Sequence, residues 1–262
     1  MNTIPIYQID AFTDTLFGGN PAAICPLESW LPESQMQTIA MENNLSETAF
    51  FVWEGEDIIK IRFFTPEVEI DLCGHATLAT AHLIFNILKP TLSKLDIQAN
   101  KDLLVINREA DLVNMKFPSN MPSLRSLPDI VKDSLGNPNV LETHFAANFY
   151  LLLLENEQAV LECQPDFNQL KTQPGLVIIT AKGETVDFVS RVFGPSVGIN
   201  EDPVTGSAHT LLIPFWSERL NKTKMTARQV SKRGGELFVE DKGESVIIAG
   251  KSKLYLKGEI YI

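Results

Sequence analysis

Apolar and polar residues alternate with a period of two along several stretches, and two other runs are apolar almost all round. Ile59, Ile61 and Phe63 alternate with Lys60 and Arg62, which predicts a half-buried strand over Ile58–Phe64. Further strands are expected over Ile4–Phe12, through Ile24 after the turn Phe17-Gly18-Gly19-Asn20-Pro21, over Leu45–Val52, and at Leu95–Ala99, Leu103–Asn107 and Leu112–Phe117. Pro32 opens a helix whose apolar face is Met36, Ile39 and Ala40. From about His75 to Leu88 the chain carries Leu78, Ala79, His82, Leu83 and Phe85, which predicts a central helix covered on most sides. Pro118–Ser123 is the best linker candidate. Beyond it we expect a short helix near Asp129–Leu135, a strand ending in Leu151–Leu154, a helical patch over Asn156–Cys163, and strands over Leu176–Ala181 and Thr185–Phe193. A second apolar helix spans Thr210–Leu220, where Pro214 should kink or shorten it. Strands separated by glycines follow Met225.

The second apolar helix and its approach, Arg191–Trp216, read like a copy of Arg62–Phe85. Each begins with a β-rich run ending in an aromatic, one residue and a proline, namely Phe64-Thr65-Pro66 and Phe193-Gly194-Pro195. An acidic loop follows, and a small-residue turn opens the helix at Cys73-Gly74-His75-Ala76 and at Thr205-Gly206-Ser207-Ala208. The pattern predicts an α+β fold of two similar halves, each a curved sheet around one apolar helix, with a cleft between them. The boundaries fall at 1–117 and 118–253. Helix-start amides lack intrahelical partners and lie at the positive end of the helix dipole, so Gly74 and Gly206 are candidates to hold a carboxylate or phosphate. The plainer alternative is two ordinary helix starts.

Composition narrows the partners. The 262 residues are 44% apolar and 21% charged, as in globular proteins, and the formal net charge of -11 argues against nucleic acid. Three unpaired cysteines, Cys25, Cys73 and Cys163, suggest reduced thiols in the cytoplasm, and neither a secretory signal nor a bilayer-length apolar run is apparent.

Among reactive side chains, Glu47 lies in an otherwise apolar strand, where burial would raise its proton affinity and suit it to take and return a proton; its plainer role is a solvated strand residue. Asp202 before Pro203 reads as a helix N-cap or as an acceptor for a substrate ammonium. His75 and Ser207 follow the two glycines and would face whatever binds there. Ser207 and His209 point to different sides of a helix and cannot form a nucleophilic pair, and no G-x-S-x-G elbow occurs. Cys73, His75 and His82 lack the separated pairs of a zinc site, so no metal is expected, and no phosphate-loop or dinucleotide motif is present.

Five blocks occur in order over most of the chain: Asp10-Ala11-Phe12 with Gly19-Asn20-Pro21-Ala22-Ala23; Asn44-Leu45-Ser46-Glu47; Phe64-Thr65-Pro66; Gly74-His75-Ala76-Thr77; and Glu201-Asp202-Pro203-Val204-Thr205-Gly206-Ser207-Ala208. Together they resemble the phenazine biosynthesis PhzF-like family. The resemblance implies the diaminopimelate epimerase type of fold, two pseudo-symmetric halves, each a barrel-like, mostly antiparallel sheet around a central helix, with the last strand, 254–262, returning to the first half. It also implies a homodimer without a cofactor, and an isomerase that shifts a proton on a small amino or cyclic carboxylic acid. Glu47 would be the general acid/base, with His75, Asp202 and Ser207 beside it in the catalytic set and Asn20, Cys73, Gly74, Thr205 and Gly206 binding substrate. Epimerase relatives use one thiol from each half. Here Thr205 replaces the second, and a hydroxyl cannot act as a thiolate near neutral pH, so two-thiol racemisation is not expected. The alternative is a protein that binds or senses a small carboxylate without turnover.

Overall fold

Ile59, Ile61, Phe63 and Phe64 are buried in the strand Ile58–Phe64, as the alternation requires. In the computed structural model, which describes residues 2–100 and 102–262, this strand belongs to a compact unit made of Met1–Phe117 and Ile248–Ile262; Pro118–Ile247 forms the other. Both are mixed α+β with mainly antiparallel strands.

In the first unit, Ser252–Tyr261 pairs with Thr3–Ala11, which also pairs with Asn20–Leu27. Asn20–Leu27 runs parallel to Glu47–Trp53, with the helix Glu33–Asn43 as the crossover. Glu47–Trp53 pairs antiparallel with Ile58–Phe64, which lies parallel to Lys94–Ala99 across a second crossover helix, Gly74–Leu83. That helix packs against the strands Thr3–Ala11, Asn20–Leu27, Glu47–Trp53 and Ser252–Tyr261. All its residues from His75 to Ala81 are buried, and the chain then widens into a π-type turn over Ile84–Leu88.

The same pairing order recurs in the second unit. Val140–Ala146 pairs antiparallel with Phe149–Leu154, which lies parallel to Leu176–Lys182. Leu176–Lys182 pairs antiparallel with Phe188–Gly194, and this strand runs parallel to Lys224–Gln229 across the helix Gly206–Leu220. The copied side chains do matching work. Arg62 pairs with Glu69 and lies 5.3 Å from the centre of the Phe64 ring; Arg191 pairs with Glu201 and lies 5.0 Å from that of Phe193. At each helix start, the fourth residue after the N-cap bonds its carbonyl: Thr77 Oγ1 to Cys73 O at 2.7 Å, and His209 Nδ1 to Thr205 O at 2.8 Å.

Two expectations need correction. Pro214 neither shortens nor ends its helix, which continues to Leu220. The carbonyl that Pro214 leaves without a donor, Thr210 O, accepts the backbone N–H of Asn120 at 3.0 Å, and Asn120 Nδ2 also bonds Thr210 Oγ1. The strand expected from Thr185 begins at Phe188, because Gly183 N bonds Asp187 O and closes a turn first. The hairpin Val140–Ala146 to Phe149–Leu154 turns at Ala147 and Asn148, both left-handed, although neither is a glycine.

Candidate active site

Local geometry places Glu47 at the start of its strand. The helix Glu33–Asn43 ends on Asn44, a left-handed C-cap whose N–H bonds Ala40 O, and three residues later Glu47 enters the sheet opposite Ala22. The Asp10-Ala11-Phe12 and Gly19-Asn20-Pro21 blocks perform a similar task. Asp10 Oδ2 accepts the Phe17 N–H at 3.1 Å, and Gly19 adopts φ +62° where a Cβ would strike the Ala11 carbonyl. Asn20 then begins a strand with its side chain at the imidazole of His75, Nδ2 to Nδ1 3.3 Å. Cys73 is the extended N-cap of the helix that starts at Gly74. Helix geometry leaves its first amides without intrahelical acceptors.

Glu47 and His75 are 7% and 5% exposed, so the solvated alternative for Glu47 does not hold. His75 Nε2 lies 3.1 Å from Glu47 Oε2, an ion-pair distance. Cys73 Sγ lies 3.3 Å from His75 Nδ1. The expected rise in Glu47 proton affinity is overturned. Burial does push it up, but the adjacent His75 charge and the hydrogen bonds of His75 and Cys73 outweigh burial and hold the carboxyl below its ordinary value. Burial opposes charge on His75, while Cys73 and Glu47, one at each ring nitrogen, raise it well above the usual imidazole value. Burial, then the charge of Glu47, pushes the Cys73 thiol up. Because Cys73 therefore keeps its proton, the counter-charge of His75 at neutral pH is Glu47. The resting centre is a carboxylate beside an imidazolium and a thiol, with a base already deprotonated.

In the second unit, Asp202 is not the helix cap. It ends the strand Ile199–Asp202, and Thr205 is the N-cap. Asp202 Oδ2 accepts the Thr205 hydroxyl at 2.5 Å. Gln229, which sequence reasoning missed, ties this turn together. Its Oε1 accepts the Thr205 N–H at 2.9 Å, while its Nε2 donates to Asp202 O at 2.8 Å and to Thr205 Oγ1 at 3.1 Å. A fully buried amide in the alternating strand Lys224–Gln229 is the signal that could have revealed it. Gly206 opens the helix, and Ser207 in its first turn is exposed. Asn20, Glu47, Cys73 and His75 are thus brought together in one unit, and Asp202, Thr205 and Gly206 in the other, with Gly74 and Ser207 in the first turns of the two helices.

Glu47, Cys73 and His75 each offer one metal-ligating atom, all within 4.8 Å of one another. Cysteine and histidine spacing does not reveal this group, because Glu47 lies twenty-six residues before Cys73. No helix among the described residues is long and apolar enough to cross a membrane.

The family model described as phenazine biosynthesis-like protein matches residues 9–258. The chain is 45% identical to an uncharacterized isomerase of Pseudomonas aeruginosa over 99% of both chains. It is also similar to a crystal structure of a PhzF-family phenazine biosynthesis protein from Enterococcus faecalis, with a TM-score of 0.96, 46% identity and full coverage of both chains. A predicted epimerase from P. aeruginosa matches at a TM-score of 0.75 and 18% identity over 99% of both chains, a likeness of fold alone.

Proposed function

The chain belongs to the phenazine biosynthesis-like PhzF family and is an isomerase, and on that premise we propose that it moves a proton between carbons of a small amino or cyclic carboxylic acid, with Glu47 as the general acid/base. The observation that carries this reading is the buried Glu47–His75 ion pair, Oε2 to Nε2 3.1 Å, which keeps a charged carboxylate inside the fold. Burying an ion pair is costly, and ionisable groups whose pKa values are shifted by burial and a charge partner cluster at functional sites. Glu47 accepts the proton from carbon as a carboxylate and delivers it to another carbon as the acid. His75, set by Asn20, steadies the carboxylate while it is charged. Asp202 and Ser207 complete the proposed catalytic set. The helix-start amides at Gly74 and Gly206, flanked by Cys73 and Thr205, are assigned to the substrate carboxylate, where aligned donors favour the charge that builds on deprotonation. Assembly as a homodimer belongs to the same proposal, and light scattering should give twice the 29.2 kDa chain mass.

The test begins with a thermal-shift screen of small amino and cyclic carboxylic acids, followed by proton NMR of each hit. A hit converted by the wild-type chain should be left unconverted by Glu47→Gln, with binding retained. Near-normal turnover by that variant would remove Glu47 from the chemistry. Hits that bind and never convert would point to a sensor of small carboxylates.

A further inference from the structure

We infer that the strand Ser252–Tyr261 is the interface between two copies of this chain. The copies join antiparallel across a two-fold axis at Leu256, so that Lys253 of each faces the partner's Glu259. The strand offers an open edge. One side of it is bonded to Thr3–Ala11. Asn20–Leu27 has both its edges taken, by Thr3–Ala11 and by Glu47–Trp53, and Ser245–Gly250 runs into the strand through Lys251 alone, too short a link to fold back and pair. Tyr255, Leu256 and Lys257 are exposed in succession, so both faces of the strand's middle meet solvent. Tyr255 is 47% and Leu256 41% exposed, and Phe17, 68% exposed, packs edge to ring on Tyr255 with centroids 5.8 Å apart. A long apolar edge of this kind is a template for another strand.

Charge complementarity selects a second copy as the occupant. A two-fold axis perpendicular to the sheet keeps every side chain on its own face, and residues directly opposite across a ladder share a face, so the register can change only in steps of two residues. With Leu256 opposite the partner's Leu256, Lys253 faces the partner's Glu259 and Tyr255 faces the partner's Lys257, each pair occurring twice. Opposite charges, and a cation against an aromatic ring, are favourable cross-strand pairs. A slide of two residues one way sets Lys253 against the partner's Lys257, and the other way sets Lys257 against the partner's Lys257. Like charges directly opposite are destabilising. Lysines on an edge ordinarily keep it single. Here one register gives both lysines of the strand a complement, and a partner of the same sequence supplies it. The inference names the surface of the proposed homodimer and does not rest on the role of Glu47.

The experiment is sedimentation equilibrium of the full chain over a range of concentrations, with every variant checked for folding by circular dichroism. The wild-type chain should sediment at twice 29.2 kDa. Lys253→Glu and Glu259→Lys each turn two attractive pairs into repulsive ones, so each should weaken the dimer by about tenfold or more, and the two together should restore it. Leu256→Cys should give a disulfide-linked dimer on mild oxidation, because the two side chains meet at the axis. Tyr261→Cys, on the same strand but away from the axis, should not link, and the native Cys25, Cys73 and Cys163 are buried. A dimer that keeps its strength through either charge reversal, that is not restored in the double variant, or that Leu256→Cys fails to link would overturn this interface and leave the homodimer standing. A wild-type chain monomeric at every concentration would overturn interface and homodimer together. Both results leave the proton-transfer reading in place, because sedimentation does not depend on turnover.

Discussion

Acid should destabilise the Pro118–Ile247 unit through His209. Its imidazole is fully buried 6.0 Å from the Phe188 ring, and burial holds its pKa down at about 4 from the ordinary 6.5, with the bond to the Thr205 carbonyl pulling the other way. A carbonyl only accepts, so Nδ1 carries the proton of the neutral ring. Above pH 6.5 the imidazole is neutral in both folded and unfolded chains and contributes no pH dependence. Between pH 6.5 and about 4 only the unfolded chain takes up the proton, so stability falls with falling pH, and the loss is complete below about 4. At about 1.4 kcal/mol per pH unit the full effect is about 3 kcal/mol, most of it reached by about pH 4.5. Trp216 stacks on Phe188 at 5.7 Å and reports on this unit, while Trp30 and Trp53 lie in the other. Urea unfolding followed by Trp216 fluorescence, with Trp30 and Trp53 replaced by Phe, isolates the signal. His209→Gln retains an amide donor for Thr205 O but cannot titrate. It should lose about 2–3 kcal/mol less than its parent between about pH 7.5 and about pH 4.5. Equal losses in the two chains would refute the reasoning.

Gln229→Leu should destabilise the second unit by about 2–3 kcal/mol, because it strips partners from the Thr205 N–H and the Asp202 carbonyl, and urea titration measures it. Arg191 and Arg62 occupy equivalent places, but Arg191 is 12% exposed against 28% and also donates to the carbonyls of Val160 and Cys163. Arg191→Ala should therefore cost about 2 kcal/mol and Arg62→Ala less than about 1 kcal/mol, compared by melting temperature. Gly19→Ala should cost more than about 2 kcal/mol, since the left-handed backbone and the Ala11 carbonyl leave no room for a Cβ, and it should reduce substrate affinity by displacing Asn20.

Period-two alternation and the copied helix starts made the strands, the two central helices and the doubled pairing legible before any coordinates. Even the matched ion pairs of Arg62 and Arg191 follow from the repeat, because each arginine precedes its aromatic by two residues and faces a short acidic return strand. What could not be read were contacts made across the fold. His75 lies twenty-eight residues beyond Glu47. Only the parallel crossover and the packed helix bring the two together, so local composition suggested a raised carboxyl where the partner lowers it. Asp202 looked like a cap because Pro203 follows it, yet the true cap, Thr205, is bonded from Gln229, twenty-four residues later. Pro214 should break a helix when viewed alone, but Asn120 supplies the donor from a linker ninety residues earlier.

Solvent deuterium tests the central claim most directly. With a converted substrate in D2O, proton NMR should show deuterium entering the product at the carbon that gains the proton in the wild-type chain, and none in Glu47→Gln that still binds the same compound. Conversion by the wild-type chain with complete retention of the original hydrogen and no solvent label under prolonged turnover, or undiminished labelling by Glu47→Gln, would contradict a solvent-exchangeable proton carried on Glu47.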